Sequence, residues 1–138
     1  MAGSIDSEEA ALLDYIINTR TPLTKWVGLS TTTPTETGSN FTEPSGFNYS
    51  RASVTSSMWS AAVGGAPSVK LTSASVVFPV AGGSWGTIVA VGLFTASSGG
   101  SPFRWGLLDV SRAVALNQQP SFDAGQLRLK LGDPGDTY

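Results

Sequence analysis

The apolar run Ile88-Val-Ala-Val-Gly-Leu-Phe94 constrains this chain more than any other stretch. Written as a strand, it places Ile88, Ala90 and Phe94 on one face and Val89, Val91 and Leu93 on the other, so both faces need cover. Turn residues flank it: Gly-Gly-Ser-Trp-Gly-Thr at 82–87, then a turn-rich 95–102 that leads into Phe103-Arg-Trp-Gly-Leu-Leu108. Residues 82–108 are therefore expected to form a β-hairpin whose first strand lies at the centre of a layered β-structure.

The rest of the chain agrees with a β reading. Among 138 residues there are 16 glycines and 8 prolines, which favours many turns and short strands over a helical bundle. Leu23, Val27 and Leu29 alternate with Thr24 and Gly28, although Trp26 adds an apolar group to the opposite face. Further short strands are expected at 49–55, 69–72 and 75–78. The last is expected at 126–131, where Leu127, Leu129 and Leu131 alternate with Arg128 and Lys130. A turn is expected at 64–67, a polar loop at 30–40, and a polar connection at 117–120. Met58 and Trp59 are read as anchors of the loop between.

One helix is expected, at 5–18. Asp6 and Glu9 fit a capping box, with Ile5 and Ala10 as a weak hydrophobic staple. Leu12 with Ile16 and Leu13 with Ile17 stack at i,i+4 on one apolar stripe. A helix this short is marginal alone, so the stripe must be buried, either over the open end of its own sandwich or against a neighbouring subunit. The expected architecture is mainly β: a single antiparallel β-sandwich, jelly-roll or Ig-like, with one short N-terminal α-helix. Its organisation is an N-terminal helical segment at 1–21, the sandwich at 22–131 and a tail at 132–138.

Chemistry is restricted by what is missing. The chain has no histidine and no cysteine, which removes the usual general base near neutral pH, thiol nucleophiles and the commonest zinc ligands together. Gly82-x-Ser84-x-Gly86 has the spacing of a hydrolase nucleophile elbow, but such an elbow follows a strand, opens a helix and needs a later histidine. Here a strand is expected after the serine, and no lysine has a serine three residues before it. Glu36, Glu43 and Asp109 are the carboxylates that a histidine-free polysaccharide hydrolase would use. Asp133 and Asp136 flank Pro134-Gly135 without the ligand spacing of an EF-hand loop. The reading is of no catalytic, cofactor-binding or metal-binding residues.

A net charge of −2 and scattered Lys and Arg give no field or groove for nucleic acid. The longest apolar run is far short of the roughly 20 residues that cross a bilayer, so no membrane partner is expected. Asp6, Glu8 and Glu9 stand where a signal peptide would be basic and then apolar, which points to synthesis in a cytoplasm. Trp26, Trp59, Trp85 and Trp105 are read as packing or interface anchors, with sugar stacking as the alternative.

Several segments together resemble a known family. Val27-Gly-Leu-Ser-Thr-Thr-Thr-Pro-Thr-Glu-Thr-Gly38, Asn40-Phe-Thr-Glu-Pro-Ser-Gly46 and Tyr49-Ser-Arg51 resemble the front half of small bacteriophage tail-fibre-like virion proteins, of the kind found on siphophage heads and tails. Phe78-Pro79, Gly83-Ser-Trp-Gly-Thr87, Gly92-Leu-Phe94, Gly99-Gly100, Trp105-Gly-Leu107 and Pro120-Ser-Phe-Asp-Ala-Gly-Gln-Leu127 resemble the back half. The likeness spans about residues 9–131 and departs from the family between 56 and 70.

The resemblance implies a non-enzymatic virion structural protein that docks on the head or tail surface and is assembled in the host cytoplasm. Its expected partners are major capsid or tail proteins and further copies of itself, as a homo-oligomer. A capsid decoration (minor capsid) protein is the alternative. A glycan- or receptor-binding module is a further one, its site formed by exposed aromatics and the loop 30–40, with host-surface glycan as the partner. The interface candidates are Leu12, Leu13, Ile16, Ile17 and the four tryptophans.

Overall fold

The hairpin forms, and its first strand is central. A computed structural model describes residues 6–65 and 68–131, and the chain is mainly antiparallel β with one short N-terminal helix. The Ile5 staple residue, the end of the turn at 66–67 and the tail with Asp133 and Asp136 lie outside the described residues. So do the side chains of the Asp6–Glu9 capping box. The chain forms two compact units, one from parts of Thr24–Val54 and Val76–Ser121, the other from parts of Met1–Leu23, Thr55–Ser75 and Phe122–Tyr138.

The first unit carries a four-stranded sheet. Its strands are β1 (Lys25–Ser30), β2 (Ala52–Val54), β5 (Gly86–Phe94) and β6 (Arg104–Val114), in the order β2-β1-β5-β6. Between β1 and β6, β5 buries Ile88, Ala90, Gly92 and Phe94 on one face and Leu93 on the other, with Val89 and Val91 half-buried. The continuous apolar pattern is thus that of an interior strand. The two short strands β4 (Val76–Val77) and β7 (Ser121–Phe122) pair with each other. Their junction is extended by Phe78 N–H to the Pro120 carbonyl at 3.0 Å and Ala81 N–H to the Gln118 carbonyl at 2.8 Å.

One cross-strand pair shapes the sheet. Gly28 of β1 lies directly opposite Gly92 of β5, leaving a trough on that face. A Cβ at Gly28 would stand 2.7 Å from Glu43 Oε1 and 2.8 Å from the Phe94 ring, and one at Gly92 would stand 2.7 Å from the Phe41 ring. The two glycines therefore admit the chain that follows β1 onto the sheet. Phe41 and Phe94 meet edge to face there, with centroids 5.2 Å apart.

The edge strand β6 is irregular. Ile88 pairs with Arg112 and Ala90 with Leu107, so the single residue Val89 faces residues 108–111 of β6. This wide bulge breaks the ladder and turns Val110 outward, 68 % exposed, beside Leu107 at 58 %.

The second unit holds helix α1 (Asp6–Asp14), a ribbon of β3 (Ser68–Leu71) with β8 (Arg128–Leu131), and a 3-10 turn at Ser56–Met58. The helix does not stay α-helical to residue 18 as the sequence suggests. It widens into a π-turn over Tyr15–Thr19, closed by Arg20 N–H on the Tyr15 carbonyl at 2.9 Å. Leu13 and Ile17 are buried there, with Trp59, Leu127 and Leu129 among the core of the same unit.

Candidate functional site

The loop between β1 and β2 is held over the sheet by a polar cluster at its base. Glu43 receives Arg51 in a two-pronged pair, Nε to Oε1 and Nη2 to Oε2, both at 2.9 Å. Arg51 also donates Nη1 to the Ala96 carbonyl at 2.8 Å, and its guanidinium lies 3.5 Å from the Phe94 ring centroid. Its side chain is 2 % exposed, each of its three nitrogens donates a hydrogen bond, and the guanidinium rests on an aromatic face.

Tyr49 completes the cluster. Leu29 lies past the last β1 residue paired with β2, and its N–H donates to the Tyr49 hydroxyl at 3.0 Å. That hydroxyl in turn donates to Glu43 Oε1 at 2.7 Å. Burial, together with the neighbouring carboxylate, pushes the phenol above its ordinary pKa, which favours the protonated, donating form of Tyr49. Its ring meets Trp85 edge to face at 5.2 Å, and Trp85 Nε1 donates to the Phe47 carbonyl at 2.8 Å.

Farther out, the same loop is braced by short hydroxyl and amide contacts. Thr42 N–H donates to the buried Ser30 hydroxyl at 3.0 Å, and Asn40 Nδ2 to the Thr33 carbonyl at 2.8 Å. Thr35 N–H reaches the Ser39 carbonyl at 2.9 Å, and Gly38 N–H the Thr35 carbonyl at 2.8 Å. The loop tip is thereby a built turn.

That tip forms one wall of a groove of about 450 Å³. Glu36, Thr37 and Gly38 stand on one side and residues 102–105 of the hairpin, including Trp105, on the other. Gly38 has φ +79°, and a Cβ on it would lie 2.9 Å from the Pro102 carbonyl oxygen. A glycine is needed here on both counts, conformation and approach. Trp105 is half-buried, whereas Glu36 and Thr37 are exposed.

The sequence candidates separate accordingly. Trp85 is 4 % exposed and belongs to the sheet unit, and Trp59 is 9 % exposed in the helix unit, where it bridges to Thr72. Trp26 is half-buried on β1 opposite Phe94. Of the four helix positions, Leu13 and Ile17 are buried, Ile16 is half-buried and Leu12 is 49 % exposed.

The three carboxylates are not used alike. Glu43 is occupied by Arg51 and Tyr49, Asp109 lies in the β6 bulge, and Glu36 stands in the groove wall. Ser84 Oγ accepts the Gly86 N–H at 3.2 Å, bracing the corner that opens β5. Among the described residues, no three His, Cys, Asp or Glu side chains are grouped to hold a metal ion. No described helix is long and apolar enough to cross a membrane.

Sequence reasoning missed the Arg51–Glu43–Tyr49 cluster and the buried Lys70–Asp14 pair of the second unit, where Nζ lies 2.7 Å from Oδ1. Their partners are 8 and 56 residues apart, so spacing carried no signal for the second. For the first, the charged and aromatic residues gathered at 43–51 are the trace that could have been followed.

The chain is thus mainly antiparallel β, with a braced loop, an open groove and an irregular edge strand. Residues 4–130 match the family described as podophage GP4 fiber I protein gp80, and the chain belongs to that family. Membership gives it the character of a phage fibre structural protein and ties it to the virion. The fibre part of the resemblance read from the sequence therefore stands, and the match, to a family described from a podophage, does not extend to its siphophage part. No curated protein matches the chain.

Proposed function

We propose that this chain is a non-enzymatic fibre subunit, seated on the phage tail and joined there to further copies of itself and to other virion proteins. The observation that carries the reading is the family match over residues 4–130, which runs through both units of the chain. The β6 edge supports it: Leu107 and Val110 offer apolar surface, while the bulge and the exposed Asp109 and Arg112 discourage indiscriminate strand pairing. Specific docking with suppressed aggregation is what a multi-copy virion component needs.

Localisation of the chain in a particle reconstruction tests the proposal. Density for it at the tail or its fibres is expected. Density on the capsid lattice would transfer the protein to the decoration class, and absence from the particle would end both readings.

A further inference from the structure

We infer that the bulged edge of β6 is a two-fold interface whose occupant is the same edge of a second copy, set so that Asp109 faces the partner's Arg112. This names the contact behind the multi-copy reading above and rests on that reading. β6 is the last strand in the order β2-β1-β5-β6, so its outer backbone groups have no ladder within the chain. Across the bulge, 108–111 have only Val89 opposite them, and one residue cannot satisfy the N–H and carbonyl groups of that whole segment. Side chains 109–113 are all exposed, and Val110 is the most exposed of the large apolar residues described.

Charge decides what covers this edge. Asp109 and Arg112 carry opposite signs, and among the described residues neither side chain has a hydrogen-bond or ion-pair partner. An antiparallel second copy, turned about an axis between Val110 and Ser111, brings Asp109 opposite the partner's Arg112 and Arg112 opposite the partner's Asp109. Both pairs then lie directly across neighbouring strands, where opposite charges attract and like charges repel. The same register sets Val110 against the partner's Ser111, and the half-buried Leu108 against the partner's Ala113. Slipping it by one residue parts both ion pairs. Slipping it by three sets Asp109 against the partner's Asp109, or Arg112 against the partner's Arg112. The edge therefore specifies partner and register together.

A foreign strand would leave both charges without partners, so the edge resists indiscriminate pairing and still accepts its own kind. Pairing over 107–114 with two solvent-washed ion pairs is a small contact, at the low end of specific interfaces. It is weak between free chains and gains strength when many copies are held on one particle.

The test is sedimentation of the full chain at concentrations up to about 1 mM, which a weak interface of this size requires. A monomer–dimer equilibrium that weakens with added salt is expected. Asp109→Arg and Arg112→Asp are both exposed changes, and amide spectra check that each variant keeps its fold. Each should weaken the dimer about tenfold or more, because each sets like charges face to face twice. An equimolar mixture of the two variants should regain the parent affinity, because Arg meets Asp again at both positions, and so should the chain carrying both changes. A chain that stays monomeric throughout overturns the inference. So does association that either reversal leaves unchanged, or a mixture no tighter than its components. Particle localisation is read separately, so a fibre protein that fails these measurements rejects this contact alone.

Discussion

Two buried cations, each tied to a single carboxylate, carry unequal risk. Arg51 is nearly inaccessible and its charge is balanced by Glu43. Glu43→Ala would strand that charge over the Phe94 ring, and a loss of about 3–5 kcal/mol is expected in denaturant unfolding. The Ala96 carbonyl and the ring would remain, so a smaller deficit in Arg51→Met than in Glu43→Ala is the signature of a stranded charge. Lys70 is equally buried, but its partner Asp14 is partly wet and Lys70 keeps the Ser60 carbonyl at 2.8 Å. Burial alone would raise the Asp14 pKa, but hydrogen bonds from Lys70 and the Ala62 N–H outweigh it, and the carboxyl sits below its ordinary 3.8. A depressed folded pKa means this contribution is full above about pH 4 and is lost as pH falls through the folded value. Unfolding midpoints measured across that acid window should slope for the parent chain and flatten in Asp14→Asn. The Lys70–Asp14 pair is not legible in the sequence. A lysine in an alternating strand reads as the wet side, and only a tertiary partner 56 residues away reverses that.

At the scale of elements, the strands were readable where local sequence decides and obscure where neighbours do. The run 88–94 declared itself because an interior strand must be apolar on both faces. The span 49–55 shrinks to β2, Ala52–Val54, because Tyr49 and Arg51 are engaged by Glu43 instead of a ladder. The helix shows the same limit, since its π-turn at Tyr15–Thr19 leaves no mark in the i,i+4 pattern. The Gly28–Gly92 pair looks like two weak points in strands, yet each makes room for an aromatic or carboxylate side chain. Gly28→Ala is expected to cost roughly 1–3 kcal/mol, read as a lowered unfolding midpoint, because Glu43 and Phe94 must both give way. In β6, the bulge at 108–111 lies outside the core, and under the proposed function it is a docking surface. Val110→Lys should leave monomer stability within about 0.5 kcal/mol while abolishing incorporation of the subunit into particles, measured by its share of purified virions.

For the molecule as a whole, the family and the broad β class were available from sequence, because both rest on contiguous motifs. The groove was not. Its walls come from residues 36–38 and 102–105, and what joins them is the closeness of Gly38 to Pro102, which no local pattern encodes. The path of the chain through its two units has a consequence in time. The strands of the large sheet are complete once residue 114 has been made, whereas β3 must wait for β8 at 128–131. On a ribosome the sheet unit can therefore close first, while the β3 segment remains without its partner until synthesis is almost over. A chain stopped at residue 121 should show protected amides in β1 and β5 and rapid exchange in β3. A termination between residues 122 and 127 would thus release a protein with every strand of the large sheet and without β8, the partner that closes the other unit.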